Sequence, residues 1–385
     1  MTPFNPIVTI ITIIVVLVIV LHVVAYLILV ERKVSAWIQD RQGPNRVGPW
    51  GLLQPIVDGA KMLLKEDIVP SHVDKFFFIL APAIAAGTAL LGFAVIPFGP
   101  TDPSHPEHYQ FVIAPGVDIG ILWTFSISSL AVYGIILGGW SSNSKYSMLG
   151  ALRSSAQIIS YEIPLGLSIL GVVLYSGSLN LEKIIAWQTE HGWNVIYQPL
   201  AFLMFLTSIF AECNRLPFDL PEAEQELVGG YHTEYSGIKF GLFFLGEYTH
   251  MITTSFLASI MFFGGWHLPF GLTSGDDWFF TIMKLVSIIG KASFFIVFFV
   301  IIRWTLPRFR FDQLMSIAWR LLIPLAVVHL VAVMTIREFN APLIALTGVS
   351  VVLLVIAGYY ASRRQPTEPV RRTGDIHAPL ETILN

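Results

Sequence analysis

Ionisable side chains stand inside segments that are otherwise apolar. Glu162 and Glu247 each lie within such a segment, Glu212 lies at the end of another, and Lys291 lies within a further one. A charge inside hydrocarbon costs several kcal/mol unless it is neutral, paired or hydrated, so each of these residues is a candidate for proton transfer. Pro164 follows Glu162 closely, and a proline leaves the carbonyl four residues earlier without its helical partner. This pattern predicts a kinked helix that can hold water beside a buried acid.

A second group of acids follows Arg215 and precedes the next basic residue, Lys239. These acids are Asp219, Glu222, Glu224, Glu226 and Glu234. Asp219 and Glu222 have the spacing of a capping box, so part of this acidity begins a helix. Neither capping nor pairing with a residue four positions away explains Glu224. We therefore expect this connection to take part in the chemistry.

The composition requires a membrane to position these residues. The chain has 385 residues, of which 54% are hydrophobic and only 13% are charged, and its mean hydropathy is +0.68. About a quarter of the residues of a typical soluble domain are charged, so a soluble fold is excluded. The single cysteine, Cys213, excludes an internal disulfide and a cluster held by several cysteines. The net charge of −3 and the absence of glycine-rich phosphate motifs indicate that this chain binds neither nucleic acid nor a nucleotide.

Nine segments are long and apolar enough to cross a bilayer as helices, because lipid offers no partner for unpaired backbone groups. They are Ile7–Val30, Phe76–Phe98, Val117–Gly139, Ser155–Tyr175, Val195–Cys213, Lys239–Gly264, Thr281–Ile302, Met315–Thr335 and Pro342–Ala361. The pattern over Trp50–Glu66 predicts a further amphipathic helix that lies along the membrane surface. We therefore predict an all-α polytopic membrane protein, with a single transmembrane domain over 1–362 and a polar tail over 363–385.

The distribution of Lys and Arg predicts the orientation. Eighteen of these residues fall on one set of connections and the C-terminal tail, and only Lys183 and Arg337 fall on the opposite side. The positive-inside rule then places the N-terminus outside and the C-terminus in the cytoplasm, as in a bacterial inner membrane. The inner connections, 31–75, 140–154, 214–238 and 303–314, hold most of the unusual charges.

Six motifs in order resemble those of one family. They are Glu31–Val34, Arg41–Pro49, Leu152–Glu162, Glu212–Glu226, Gly230–Gly237 and Arg303–Met315. Together they resemble the H-type membrane component of respiratory complex I, the proton-pumping NADH:quinone oxidoreductase. The resemblance runs from Glu31 to Pro324. It implies eight core helices, to which the ninth predicted segment adds a C-terminal one.

The resemblance implies two groups of functional residues. Inner loops of this family help to form a narrow quinone chamber that is shared with soluble neighbours. The chamber residues it implies are Arg32, Trp37, Arg41, Arg46, Asp58, Arg215, Arg303, Arg308 and Asp312. An acidic funnel of this family, to which Asp58 also corresponds, links the chamber to buried membrane charges. The proton-coupling residues it implies are Glu162, Glu212, Glu222, Glu224, Glu234, Glu247 and Lys291.

The resemblance also implies the partners and leaves alternatives open. Quinone would be the substrate, and FMN and iron–sulfur clusters would be held by other subunits, with no cofactor on this chain. Reduction of quinone would change the protonation of the acids. One alternative is the membrane anchor of an energy-converting hydrogenase, in which we expect a poorer match to Gly43–Gly48. Another is a stand-alone secondary transporter, which would purify alone, whereas a component of complex I would purify with flavin and iron–sulfur subunits.

Overall fold

The described chain folds into a bundle of α-helices. The computed structural model describes residues 6–101, 109–219, 228–268 and 277–363. The first eight helices are α1 (Pro6–Ile38), α2 (Gln54–Leu64), α3 (Lys75–Leu91), α4 (Gly120–Ser141), α5 (Lys145–Ser176), α6 (Leu181–His191), α7 (Asn194–Tyr197) and α8 (Pro199–Glu212). The remaining helices are α9 (Gly237–Phe262), α10 (Trp278–Thr305), α11 (Phe311–Ile317), α12 (Ile323–Glu338) and α13 (Ile344–Arg363). A π-helical turn, Ala318–Leu322, joins α11 to α12.

Each of the nine predicted spans falls on helical structure, which confirms the all-α polytopic class. Two of them cover more than one element: Val195–Cys213 covers α7 and α8, and Met315–Thr335 covers parts of α11 and α12 with the π-helical turn between them. Six helical rods of the described chain are long and apolar enough to cross a membrane. They are Pro6–Ile38, Lys75–Ala94, Gly120–Ser141, Lys145–Ser176, Trp278–Thr305 and Phe311–Glu338. Helices α8 and α13 are shorter and apolar. Helix α9 has 26 residues and includes Lys239 and Glu247.

Several helices continue beyond the predicted spans. Helix α1 runs past Val30 to Ile38 and so carries Glu31 and Arg32 on a regular helix. Helix α5 begins at Lys145, so most of the predicted connection 140–154 is helical. Hydropathy marks where the hydrocarbon ends, whereas a helix continues for as long as its own backbone hydrogen bonds form. The surface segment is helical over α2, which is shorter than the predicted range and buries none of its residues.

Helix α5 lies at the centre of the bundle and packs against α4, α8 and α12. Its Tyr161 side chain is fully buried and donates a hydrogen bond to the Leu314 carbonyl at 3.0 Å. The buried Gln157 amide donates to the carbonyls of Ala211 and Phe218, both at 2.7 Å. These bonds fix the segment that follows α8 against α5, and Arg215 lies in that segment.

Candidate functional site: a charged groove and a carboxylate cavity

A groove of about 660 Å³ lies between α1, α2 and α9. Its walls are apolar, and they are formed by Leu21, Val24, Ala25 and Ile28 of α1, Met62 and Leu63 of α2, and Phe240, Phe244 and Leu245 of α9. One end of the groove is charged and holds Glu31, Arg32, Arg41, Asp58 and Arg303. Leu21 and Arg32 are separated by about 16 Å along the helix axis at the usual helical rise. The groove therefore joins the apolar part of α1 to a polar end.

An ion pair at the charged end ties α2 to α1. Arg32 donates to Asp58 at 2.6 Å, and Gln54 donates to the other carboxylate oxygen of Asp58 at 2.9 Å. Asp58 is on α2 and Arg32 is on α1. Because both side chains stay partly exposed, the pair adds little stability and mainly sets the position of α2.

Glu31 is the buried centre of this end, although it was not among the site residues predicted from the sequence. Its carboxylate accepts hydrogen bonds from Arg215 at 3.2 and 3.3 Å, from Tyr248 at 2.6 Å and from Arg303. Its residue exposure is only 5%. Glu31 directly follows the apolar run of α1 and therefore has the pattern of an ordinary flanking charge. Its place in the first family motif was the signal for it.

A narrow cavity of about 70 Å³ lies on the other side of α9, and Glu212, Glu247 and His250 line it. We call it the carboxylate cavity. Its remaining walls are mostly apolar side chains of α3, α4, α5, α8 and α9. A site that holds one water needs roughly 10–15 Å³, so this volume admits a few water molecules next to polar partners. The cavity can therefore hold a short hydrogen-bonded path between acids.

A hydroxyl group donates to each of the three acids in this region. Ser129 donates to Glu162 and Ser128 donates to Glu212, and Tyr231 donates to Glu247 at 3.0 Å. Sequence reasoning missed these donors. A serine in an apolar segment has the same pattern whether it packs or forms a hydrogen bond, and Tyr231 lies in an inner connection, where the sequence does not reveal its partner.

His250 joins α9 to the end of α8. Its Nε2 atom lies 3.2 Å from the Glu212 carboxylate. Consecutive residues of α4, Ser128 and Ser129, bind Glu212 and Glu162, so these two acids lie against the same part of α4. The structure therefore brings Glu212 and Glu247 to one cavity, and it bonds Glu162 to Ser129, the neighbour of the cavity-lining Ser128.

The other predicted chamber residues lie around the groove or on the loops beyond it. Trp37 and Arg41 line a shallow depression with Trp50, and Trp37 is 69% exposed. Arg46 is exposed. Arg308 donates to the buried Asp219 at 3.1 Å, and Asp312 is exposed in the first turn of α11.

Lys291 does not lie with the carboxylates. Its ammonium donates to the carbonyls of Phe263, Gly265 and His267 at 2.7, 2.8 and 2.6 Å. It also lies 5.0 Å from the centre of the Trp193 ring. These contacts use all three donors of the ammonium at the end of α9. They favour a structural role for Lys291.

The remaining predicted acids are Glu222, Glu224 and Glu234. Glu234 is half-buried in the turn before α9, whereas Glu222 and Glu224 lie outside the described residues. In that same turn, burial lowers the pKa of His232 to about 4, so this histidine is neutral at physiological pH. Its ring packs against Phe240 and Phe244, which line the groove.

Burial alone would lower the pKa of Arg215, but Tyr248, Glu31 and Glu247 hold it well above its usual value. Arg215 is therefore a permanent cation between the groove and the carboxylates. Among the described residues, no group of three or more His, Cys, Asp or Glu side chains is placed to hold a metal ion.

The chain is similar in sequence to known proteins over most of its length. The family model described as NADH dehydrogenase matches residues 11–334. The chain is 51% identical over 310 residues to an H-type NADH-quinone oxidoreductase subunit of Geobacter metallireducens, covering 80% of this chain and 90% of the relative. It is 47% identical over 312 residues to an H-type NADH-quinone oxidoreductase subunit of Cytophaga hutchinsonii, covering 81% and 91%. It is 48% identical over 358 residues to NADH-quinone oxidoreductase subunit 8 of Thermus thermophilus, covering 92% and 93%.

Proposed function

The chain belongs to the NADH dehydrogenase family, together with the H-type subunits of NADH-quinone oxidoreductase, and we propose that its groove binds quinone while its buried carboxylates couple quinone reduction to proton movement. It is thus a membrane component of an oxidoreductase complex. The observation that carries the proposal is the groove itself, which has apolar walls along α1 and α9 and a charged end at Glu31 and Arg32.

Quinone has an apolar tail and a polar headgroup, and the groove matches both parts. Its volume of about 660 Å³ falls within the range of roughly 300–1,000 Å³ that is usual for small-molecule sites. The tail would lie against Val24, Ala25 and Phe244, and the headgroup would reach Arg32 and Arg303. Trp37, Arg41, Arg46, Arg308 and Asp312 would form the rim that soluble neighbours complete.

The carboxylate cavity supplies the coupling. A quinone that takes up two electrons becomes strongly basic, so its protonation changes the field on nearby charges. That change acts strongly on Glu162, Glu212 and Glu247, because charges in a poorly hydrated interior are screened far less than charges in water. We propose that Glu222, Glu224 and Glu234 continue this path on the inner side, with the C-terminus in the cytoplasm.

Partner subunits would supply the electrons. The name of the relatives implies an NADH-oxidising complex, so FMN and iron–sulfur clusters belong to the partners in this proposal, and this chain supplies protein groups only. The names of the relatives favour this complex over a hydrogenase anchor or a stand-alone transporter.

Filling the groove tests the proposal. We expect Ala25→Trp, in the assembled complex, to raise the KM for a short-chain quinone by about tenfold or more, because the larger side chain occupies the tail path. NADH oxidation with a hydrophilic acceptor should not change. Ile14→Trp is the matched control, since Ile14 is on α1 and exposed but does not line the groove. An unchanged quinone KM in Ala25→Trp would refute the groove as the quinone route.

A further inference from the structure

The groove and the carboxylate cavity are separated by α9, and two consecutive residues of that helix face the two spaces. Glu247 lines the cavity and Tyr248 lines the groove. The Arg215 guanidinium stacks on the Tyr248 ring, with its Cζ atom 4.1 Å from the ring centre. Arg215 therefore lies where the two spaces approach each other.

Arg215 shares its partner with a second arginine. Both Arg215 and Arg303 pair with Glu31, so two guanidinium groups share one carboxylate. A buried cation needs a full counter-charge, because desolvation costs several kcal/mol per ion. One carboxylate cannot supply a full counter-charge to two arginines, so the attraction that Glu31 offers is divided between them.

Arg215 also has unused donors. Its residue exposure is 9%, and its Nε and Nη2 atoms have no hydrogen-bond partner among the described residues. A guanidinium has five N–H donors in a rigid fork. Buried donors without a partner are rare in native proteins and cost free energy, so another acceptor within reach of these two donors would be favourable.

Glu247 is the second carboxylate that acts on Arg215. It attracts the guanidinium electrostatically, and both charges also act on the buried Cys213 thiol. Glu247 accepts the Tyr231 hydroxyl, which fixes its carboxylate on the cavity side of α9. The Arg215 guanidinium is thus bonded to Glu31 and stacked on Tyr248, the residue that directly follows Glu247 on α9.

We propose that Arg215 is a positioning residue that transmits a change in the charge of Glu31 to Glu247, by shifting its guanidinium from one carboxylate toward the other. This inference rests on the proposed function of the two spaces. When Glu31 loses its charge, Arg215 loses its principal partner, and Arg303 competes for whatever attraction remains. The guanidinium then moves to Glu247, which changes the field in the carboxylate cavity.

The first test is structural and uses the whole complex. Glu31→Gln removes the charge but keeps the shape of the side chain. In a high-resolution map of this variant, the Arg215 guanidinium is expected within hydrogen-bond distance of Glu247. A guanidinium that keeps its position on residue 31 would overturn the proposal. Lys183→Met is the matched control, because it removes a single cation from the exposed pair with Asp118 and should leave Arg215 in place.

The second test is a double-mutant cycle on proton translocation by the complex in liposomes. Glu31→Gln, Glu247→Gln and their combination are compared for protons moved per quinone reduced and for kcat at saturating quinone. If Arg215 links the two acids, the effects should be non-additive by about tenfold in the natural background. They should become additive within about twofold when Arg215→Lys replaces the guanidinium fork with a single ammonium group.

The two proposals fail in different ways. Additive effects in the natural background would overturn the link through Arg215, while the groove variants would still test quinone binding. Arg215→Met removes the charge of the side chain, whereas Arg215→Lys keeps it. If Arg215 had a merely structural role, coupling should be lost in Arg215→Met and kept in Arg215→Lys. If Arg215→Lys instead moves fewer protons per quinone reduced while its quinone KM stays unchanged, this result supports the link between Glu31 and Glu247 through Arg215.

Discussion

Each acid at or beside the carboxylate cavity is bonded to a hydroxyl rather than to a cation alone. Ser129, Ser128 and Tyr231 donate to Glu162, Glu212 and Glu247. A hydroxyl donates to a carboxylate, and it accepts from a carboxylic acid. Each contact can therefore survive protonation of the acid by reversing its direction. This property suits groups that exchange protons while holding their positions.

Replacing Glu162 by Gln tests the role of a single acid. The amide keeps the size of the side chain and a bond with Ser129, but it cannot exchange a proton. We expect the coupled turnover with quinone to fall by about a hundredfold or more, because a positioned proton-transfer group typically contributes about 10²–10⁴-fold. NADH oxidation with a hydrophilic acceptor should stay at the natural rate.

The control for that variant is Glu182→Gln, since Glu182 accepts a hydrogen bond from the Gly116 amide far from the cavity. It should leave coupled turnover unchanged. Normal pumping in Glu162→Gln would exclude Glu162 from the coupling path.

The sequence predicted the acids but not their partners. Glu162 and Glu247 stand out because each interrupts an apolar run. Ser128 and Ser129 do not stand out, because small polar residues are common in packed membrane helices. The contacts of Lys291 come from residues more than twenty positions earlier in the chain, so no local pattern reveals them.

Among the helices, α9 is held in position by two features. Its N-terminal side follows the turn Gly230–His232, which packs on α5. Its C-terminal end is capped by Lys291 of α10. A cation at a helix C-terminus is favourable because the last carbonyls carry partial negative charge. Both ends are therefore fastened to neighbouring helices.

The close approach of α5 to this turn predicts the effect of a small substitution. A Cβ atom on Gly150 would lie 2.6 Å from the Gly230 Cα atom, so Gly150→Ala must displace the turn that carries Tyr231. We expect lower quinone reduction and a lower thermal midpoint of the complex. Gly166→Ala on the same helix meets no atom within 4 Å and should behave as the natural protein. Equal behaviour of the two variants would contradict this packing.

Removing the Lys291 cap separates a structural role from the coupling role implied by the family resemblance. Lys291→Met leaves three carbonyls without their donor, at a cost of about 2–4 kcal/mol of stability. We expect the thermal midpoint of the complex to fall by several degrees, while the surviving complex keeps its ratio of protons to quinone. A normal thermal midpoint together with fewer protons moved per quinone reduced would instead support a coupling role for Lys291.

The sequence predicted which segments are helical, and it was less accurate at the ends of the helices. Helix α1 continues to Ile38, and its residues Glu31 and Arg32 find partners on other elements. Those partners are distant in sequence, so hydropathy alone places the end of the segment at Val30.

In the molecule as a whole, α9 separates a wide groove of about 660 Å³ from a narrow cavity of about 70 Å³. The groove arises where α1, α2 and α9 leave space between them, and such a space cannot be predicted from one-dimensional patterns. Composition and helix content were predictable because they depend on each segment alone. The separation of the two spaces depends on how α1, α2 and α9 pack, and the proposed function depends on that separation.

Photolabelling of the assembled complex, with a short-chain quinone that carries a photoreactive group, tests most directly whether the groove is the quinone site. We expect labelling on the groove-lining parts of α1 and α9, within residues 21–28 and 238–245, and loss of that labelling when unmodified quinone is in excess. Labelling confined to other helices, or labelling that excess quinone does not reduce, would contradict quinone binding in the groove.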